Sequence, residues 1–376
     1  MFERGGLKDF NLPRPFAHGM PEIRNFPLQL WERLERQVFR ELGCAALASS
    51  PPQGQESLRQ AIADYVNLER GAHATADRIL VLTSSQQAFT LCATVLFDFG
   101  DRVFIEDPAY HGMRRAFDAA GVMCLPVPVD GEGMQIEYLE GNALSAKGIS
   151  LTPSHQFPTG ATLSLERRLA IIEWARREQA WIIEDDYDSE FHYAGKPHAC
   201  VQGLDQHDRT IYIGTFTKSM FPGLRIGYMV LPLSLVEPMT AARSLLDGHN
   251  ATISQLTLAR FMEGGHFGAH VRVMRLIYAE RRDVLEKLVR EHLGGFVEPK
   301  VPVGGMQMPC VFICDISECD FIERARQLGI DLIGLTKLHA TNNCSTGFLM
   351  GFAAYTAEEM EVAIMKLGNI FRLLVT

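Results

Sequence analysis

Between about residues 55 and 230 the chain alternates short apolar runs with stretches of helical periodicity, and this alternation restricts the fold more than any other feature. "RILVLTSS" leads into an apolar helical run from Gln86 to Phe97, and "DRVFIEDP" leads into "YHGMRRAFDAAG" and then "VMCLPVPVD". "SLERRLAIIEWARREQ" precedes "AWIIEDD", which is followed by "TIYIGTF" and "RIGYMVLP". The pattern predicts an α/β fold: a mostly parallel sheet covered on both faces by helices. In such sheets ligands bind at the carboxyl ends of the strands. The unusual polar groups fall there, at residues 84–87, 107–110, 155–160, 185–187 and 215–218, each directly after a strand-like run.

At 376 residues the chain is long for a single core. The expected division is an N-terminal arm (1–45), a large domain (46–290) and a smaller C-terminal α+β domain (291–376). The stretch from about Ile253 to His292 reads as long helix, and Gly294–Gly295 marks the change of pattern. The closing helix begins at Thr356, whose hydroxyl can pair with Glu359 as a capping box. The net charge of -9 argues against a nucleic-acid surface on this chain. Eight cysteines without paired spacing match no common zinc or disulfide layout, so reduced thiols and no metal are expected. The first thirty residues hold no apolar leader, and the greasiest stretch, 79–97, is interrupted by Ser84, Ser85, Gln86 and Gln87. The expectation is a soluble, cytoplasmic protein with no membrane partner.

Lys218 sits in "TFTKSMFPGLR" between two strand-like runs. One reading is a surface lysine at a strand end. The other is a Schiff-base lysine, whose amine must lose its proton to attack an aldehyde; burial and a nearby cation such as Arg225 would both assist. Arg225 with Thr215 and Thr217 also has the make-up of a phosphate site. In "IIEDDYDSEF" consecutive acids follow an apolar strand, which is costly unless something cationic meets them. The run lacks the glycine and the distal glutamate of a calcium loop. A strand-end acid can pair with a pyridinium nitrogen, and Tyr187 can reach a phenolic oxygen on the same ring. Pyridine, aldehyde and phosphate together describe pyridoxal phosphate.

With "EDPAYHG" (106–112), "TPSHQFPTG" (152–160), "IIEDDYDSEF" (182–191), "IYIGTFTKSMFPGLRIGY" (211–228) and "GGHFGAHVRVMRLIYAERRD" (264–283), the chain resembles the aminotransferase-like domain of the MocR/GabR group. That group belongs to fold type I of the pyridoxal-phosphate proteins, the aspartate aminotransferase superfamily. The resemblance runs from about Phe16 to the C-terminus. It implies a large domain with a seven-stranded-type sheet, a smaller C-terminal domain and a homodimer. It further implies Lys218 as the internal-aldimine lysine, Asp185 as partner of the pyridine nitrogen and Tyr187 as partner of the phenolic oxygen. Tyr110 would stack on the ring, and Ser85, Gln86, Thr215, Thr217 and Arg225 would hold the phosphate.

The chain departs from the pattern at several positions. Phe157 stands where fold type I enzymes commonly have an asparagine, leaving His155 or Gln156 as candidates for its role. Ser49 replaces a usual tyrosine and Ser85 a usual glycine. No arginine lies between Arg326 and Arg372, so Lys337 and His339 are the nearby cationic candidates for a substrate carboxylate. The functional expectation is a pyridoxal-phosphate-dependent aminotransferase (transferase) acting on an amino acid or amine. The alternative is the effector-sensing domain of a MocR/GabR-type transcription regulator of the GntR family. Residues 1–15 are too few for a DNA-binding module, so no nucleic acid is expected to bind this chain alone.

Overall fold

The computed structural model describes residues 14–140, 145–193, 199–341 and 345–375. Its larger sheet contains β1 (Ile79–Leu82), β2 (Arg102–Asp107), β3 (Met123–Asp130), β4 (Gly133–Met134), β5 (Gly148–Leu151), β6 (Trp181–Asp186), β7 (Thr210–Thr215) and β8 (Gly227–Val230). The strand order is β1-β8-β7-β6-β5-β2-β3-β4. Strands β3, β2, β5, β6 and β7 pair in parallel; β8 runs antiparallel to both β7 and β1, so β1 shares the common direction. The expected mostly parallel sheet is therefore present, with β8 and the two-residue β4 reversed.

Alternate residues of these strands feed different cores because strand side chains alternate between faces. Leu80, Leu82, Ile211, Ile213 and Met229 pack with helix Ser85–Val95 on one face. Ile79, Val81, Tyr212, Tyr228 and Val230 pack with helices Glu56–Arg70 and Thr252–Glu263 on the other. Both faces are dry, which accounts for the unbroken apolar runs.

A second sheet, ordered β11-β12-β10-β9, is antiparallel: β9 (Val297–Pro299), β10 (Gln307–Phe312), β11 (Ile333–Gly334) and β12 (Gly347–Gly351). It packs with helices Glu318–Gln327 and Ala357–Val375 around a core that includes Phe321, Phe348 and Phe371. The capping box forms: Thr356 N donates to Glu359 at 2.7 Å, and Glu359 N donates to the Thr356 hydroxyl at 3.3 Å.

The long helical stretch is in fact two helices, Thr252–Glu263 and His266–Leu293. Gly265 adopts φ +72, a conformation that suits glycine, and so ends the continuous periodicity. Helix His266–Leu293 serves both units: Phe267 and Val271 lie in the large-sheet core, Leu285, Val289 and Leu293 in the small one. The chain before helix Leu28–Leu42 likewise joins them. Phe16 is fully buried in the small-unit core, and its carbonyl accepts from Gly351 N at 2.9 Å. Phe26 and Trp31 pack on Phe221 and Phe261, so these arm aromatics bury against their own chain.

Candidate active site

Because β1, β6 and β7 share one direction, the segments after them meet at the same sheet edge. Lys218, Asp185, Tyr187, Tyr110, Ser85, Gln86, Thr215, Thr217 and Arg225 line one cavity of about 290 Å³. Nine residues spread over 141 positions of sequence, from 85 to 225, thus come together.

Lys218 lies in the short helix Phe216–Ser219 directly after β7, whose N-cap Thr215 accepts from Thr217 N at 3.2 Å. Its Nζ donates to the Gly19 carbonyl at 2.7 Å. Burial lowers the pKa of this amine below that of an ordinary lysine, while Asp188 and Asp185 act in the opposite direction. The lowering thus comes from lost solvent, not from the Arg225 guanidinium that the sequence suggested.

The acids of β6 separate by strand alternation. Glu184 accepts the backbone N–H groups of Val201 and Gln202, both at 2.9 Å. Asp186 meets Arg70 at 2.8 Å and the Tyr212 hydroxyl at 2.6 Å, which hold its carboxyl below the usual range despite burial. Asp185 turns to the opposite face and into the cavity, and its Oδ1 has no hydrogen-bond partner among the described residues. Burial, with Asp186, Asp188 and Glu106 nearby, raises its pKa to about 8, against the opposing charge of Lys218. A buried carboxyl oxygen without a partner is a costly arrangement that a cationic ring nitrogen would satisfy.

Around the mouth, Ser85 and Gln86 form the first turn of helix Ser85–Val95, whose N-cap Ser84 accepts from Gln87 N at 3.3 Å. A helix N-terminus flanked by Thr215, Thr217 and a guanidinium is an anion cradle. Arg225 itself is left-handed at φ 54, a conformation that costs a non-glycine residue about 1 kcal/mol. Its carbonyl is held there by Asn250 Nδ2 at 3.2 Å. Tyr110 meets Phe157 edge-on, with ring centroids 6.0 Å apart.

His155 and Gln156 are not among the cavity's lining residues. His155 Nδ1 lies 3.0 Å from Asp188, and the Gln156 amide donates to the Pro108 and Phe157 carbonyls, both at 2.7 Å. Lys337 and His339 are also absent from the lining: Lys337 is exposed, and His339 lies 3.5 Å from Asp107. Besides Ser84 and Phe157, which flank candidate residues, three residues that the sequence did not single out enter instead: His18, Gly19 and Gln307. Gln307 opens β10 of the small sheet and donates to the Tyr187 hydroxyl at 3.4 Å. A polar residue at the head of an otherwise apolar strand was its only signal in the sequence.

A larger groove of about 1240 Å³ lies between the two units, but its cations Arg290 and Lys300 are more than half exposed, and among its described residues there is no buried amine. The chemistry belongs to the smaller cavity. A weakly basic amine, an unsatisfied buried acid and an anion cradle fit pyridoxal phosphate. Among the described residues, no group of three or more histidine, cysteine, aspartate or glutamate side chains could hold a metal ion, and no helix is long and apolar enough to cross a membrane.

The model of the family "Aminotransferase class I and II" matches residues 27–367. The chain is 33% identical to the probable rhizopine catabolism regulatory protein MocR of Rhizobium meliloti, over 95% of this chain and 72% of that protein. It is 26% identical to aromatic-amino-acid aminotransferase 1 of Thermococcus litoralis, over 95% of this chain and 87% of the other. Among solved structures, the kynurenine aminotransferase of Pyrococcus horikoshii superposes with a TM-score of 0.88 at 26% identity, covering 97% of this chain and 92% of that one.

Proposed function

This chain belongs to the aminotransferase class I and II family, and on that premise we propose that it carries out pyridoxal-phosphate-dependent amino-group chemistry through Lys218. The family and its solved members imply the cofactor. The observation that carries the reading is the convergence of the Lys218 amine with the unpartnered Oδ1 of Asp185 in one cavity. When bound, pyridoxal phosphate supplies an aldehyde that takes up amines and a ring that withdraws electrons from the neighbouring carbon.

Each residue then has a physical task. Asp185 keeps the ring nitrogen protonated, and Tyr187 donates its hydroxyl proton toward the phenolic oxygen. Ser85, Gln86, Thr215, Thr217 and Arg225 hold the phosphate, and Tyr110 covers a ring face. Lys218, which burial inclines toward the neutral amine, would take the proton from the substrate carbon that bears the nitrogen. It would deliver that proton to the carbon that the cofactor's aldehyde contributes, so that the nitrogen stays behind when the carbonyl product leaves. The working unit is a homodimer. Reconstitution with pyridoxal phosphate followed by borohydride should fix the cofactor to Lys218, as read by peptide mapping. Label on another lysine, or none, would overturn the reading.

The relatives also favour a second use of the same site. The regulator is more similar in sequence than the aminotransferase, 33% against 26%. In this version the domain binds an amino compound as an effector and does not turn it over. Release of a carbonyl product from a bound amine supports the transferase; binding without any product supports the sensor.

A further inference from the structure

The charges facing the cavity restrict what it can take. Among the described residues lining it, the cationic side chains are Lys218 and Arg225. If the cofactor reading above holds, as this inference assumes, Lys218 is the reacting amine and Arg225 faces the phosphate. His18 adds no charge: burial, with Lys218 and His111 nearby, lowers its pKa to about 3. Toward the small unit the wall is apolar. Phe157 packs with Leu335, Leu338 and Leu349, and Tyr110 and Tyr187 lean on the same cluster. Beside the Tyr187 hydroxyl, a buried amide interrupts this side. Gln307 is 7% exposed, and its Oε1 has no hydrogen-bond partner among the described residues while its Nε2 is directed to Tyr187.

A carboxylate placed against this wall would be buried without a counter-charge from this chain's described residues, which is strongly unfavourable. An orphaned amide oxygen needs a donor. We propose that the site selects small amines without a carboxylate on the nitrogen-bearing carbon, and that a hydroxyl or amide N–H of the substrate meets Gln307 Oε1. The size of the cavity, about 290 Å³ with the cofactor's share included, agrees with a small substrate.

The test titrates the cofactor-loaded full chain with ethanolamine, L-serine and ethylamine, following the visible absorbance of the cofactor to obtain equilibrium affinities. Ethanolamine and serine differ by the carboxylate; ethanolamine and ethylamine differ by the hydroxyl. Ethanolamine should bind at least as tightly as serine, and better than ethylamine by about fivefold, the worth of one neutral hydrogen bond. In Gln307→Leu the advantage over ethylamine should vanish while the visible absorbance of bound cofactor remains. Gln307→Glu, which keeps the acceptor oxygens, provides a second variant if the leucine protein does not fold; it should retain ethanolamine and bind serine more weakly. Serine bound measurably more tightly than ethanolamine would overturn the inference. So would an unchanged ethanolamine-to-ethylamine ratio in Gln307→Leu, or serine binding undiminished in Gln307→Glu. Those results leave the cofactor reading standing, whereas absence of both visible absorbance and borohydride labelling removes that reading and the inference with it.

Discussion

Adjacent residues on a strand face opposite ways, so Asp186 turns toward Arg70 and Tyr212 while its neighbour Asp185 turns into the cavity. The first is a structural pair. Arg70→Ala leaves a buried carboxylate without its guanidinium and should cost about 3–5 kcal/mol in denaturant unfolding. The second is an acid kept protonated until a cation meets it. Asp185→Asn removes a group whose ionisation opposes folding, so above pH 8 the cofactor-free variant should melt at a higher temperature than the parent. The same change should slow amine turnover by about two or more powers of ten, because an amide does not hold a proton on the ring nitrogen. A melting temperature that falls at pH 9 would count against the raised pKa; unchanged turnover would count against the role.

Elements decide which of these residues meet, and that is where the sequence was most legible. The alternation of strand-like and helical runs was enough to predict a shared carboxyl edge, and Lys218, Asp185, Tyr187, Tyr110, Ser85 and Gln86 all gather there. Three contributors were not legible. Gln307 follows Lys218 by 89 positions and comes from a sheet whose docking no local pattern encodes. His18 and Gly19 precede the alternation altogether, in a segment without periodicity. His155 and Gln156 follow a strand of the same sheet but do not line the cavity, because their partners, Asp188 and the Pro108 carbonyl, are long-range contacts. Gly19 carries its own prediction. It has φ +63, and a Cβ there would lie 2.3 Å from Lys218 Nζ. Gly19→Ala should weaken cofactor binding by at least about tenfold through displacement of the lysine, read by titration with pyridoxal phosphate. The capping-box variant Thr356→Ala should leave that titration unchanged and cost about 1 kcal/mol of stability.

For the whole molecule, several buried acids set a pH dependence. Burial raises Glu106 and Glu184 to about 7 and Asp185 and Glu190 to about 8, well above their values in an unfolded chain. Below about pH 6.5, His18, His111, His270 and His339, all lowered from their ordinary value by burial, give up protons on folding and offset the acids. The net decline in stability therefore falls between about pH 6.5 and 8, where the folded protein binds more protons than the unfolded one. Melting curves of the cofactor-free protein should show this decline, and loading with cofactor should reduce it by pairing Asp185. The course of the first described residues has a different consequence. Phe16 is seated in the small-unit core, and three positions later the buried Gly19 carbonyl receives the Lys218 amine. An amine committed to a bond elsewhere no longer supplies that proton, so the carbonyl must find a new donor or shift its strand of chain. Occupancy of the lysine is thereby written into the backbone at residues 14–20, and amide exchange there should change on cofactor loading even where no ligand atom reaches.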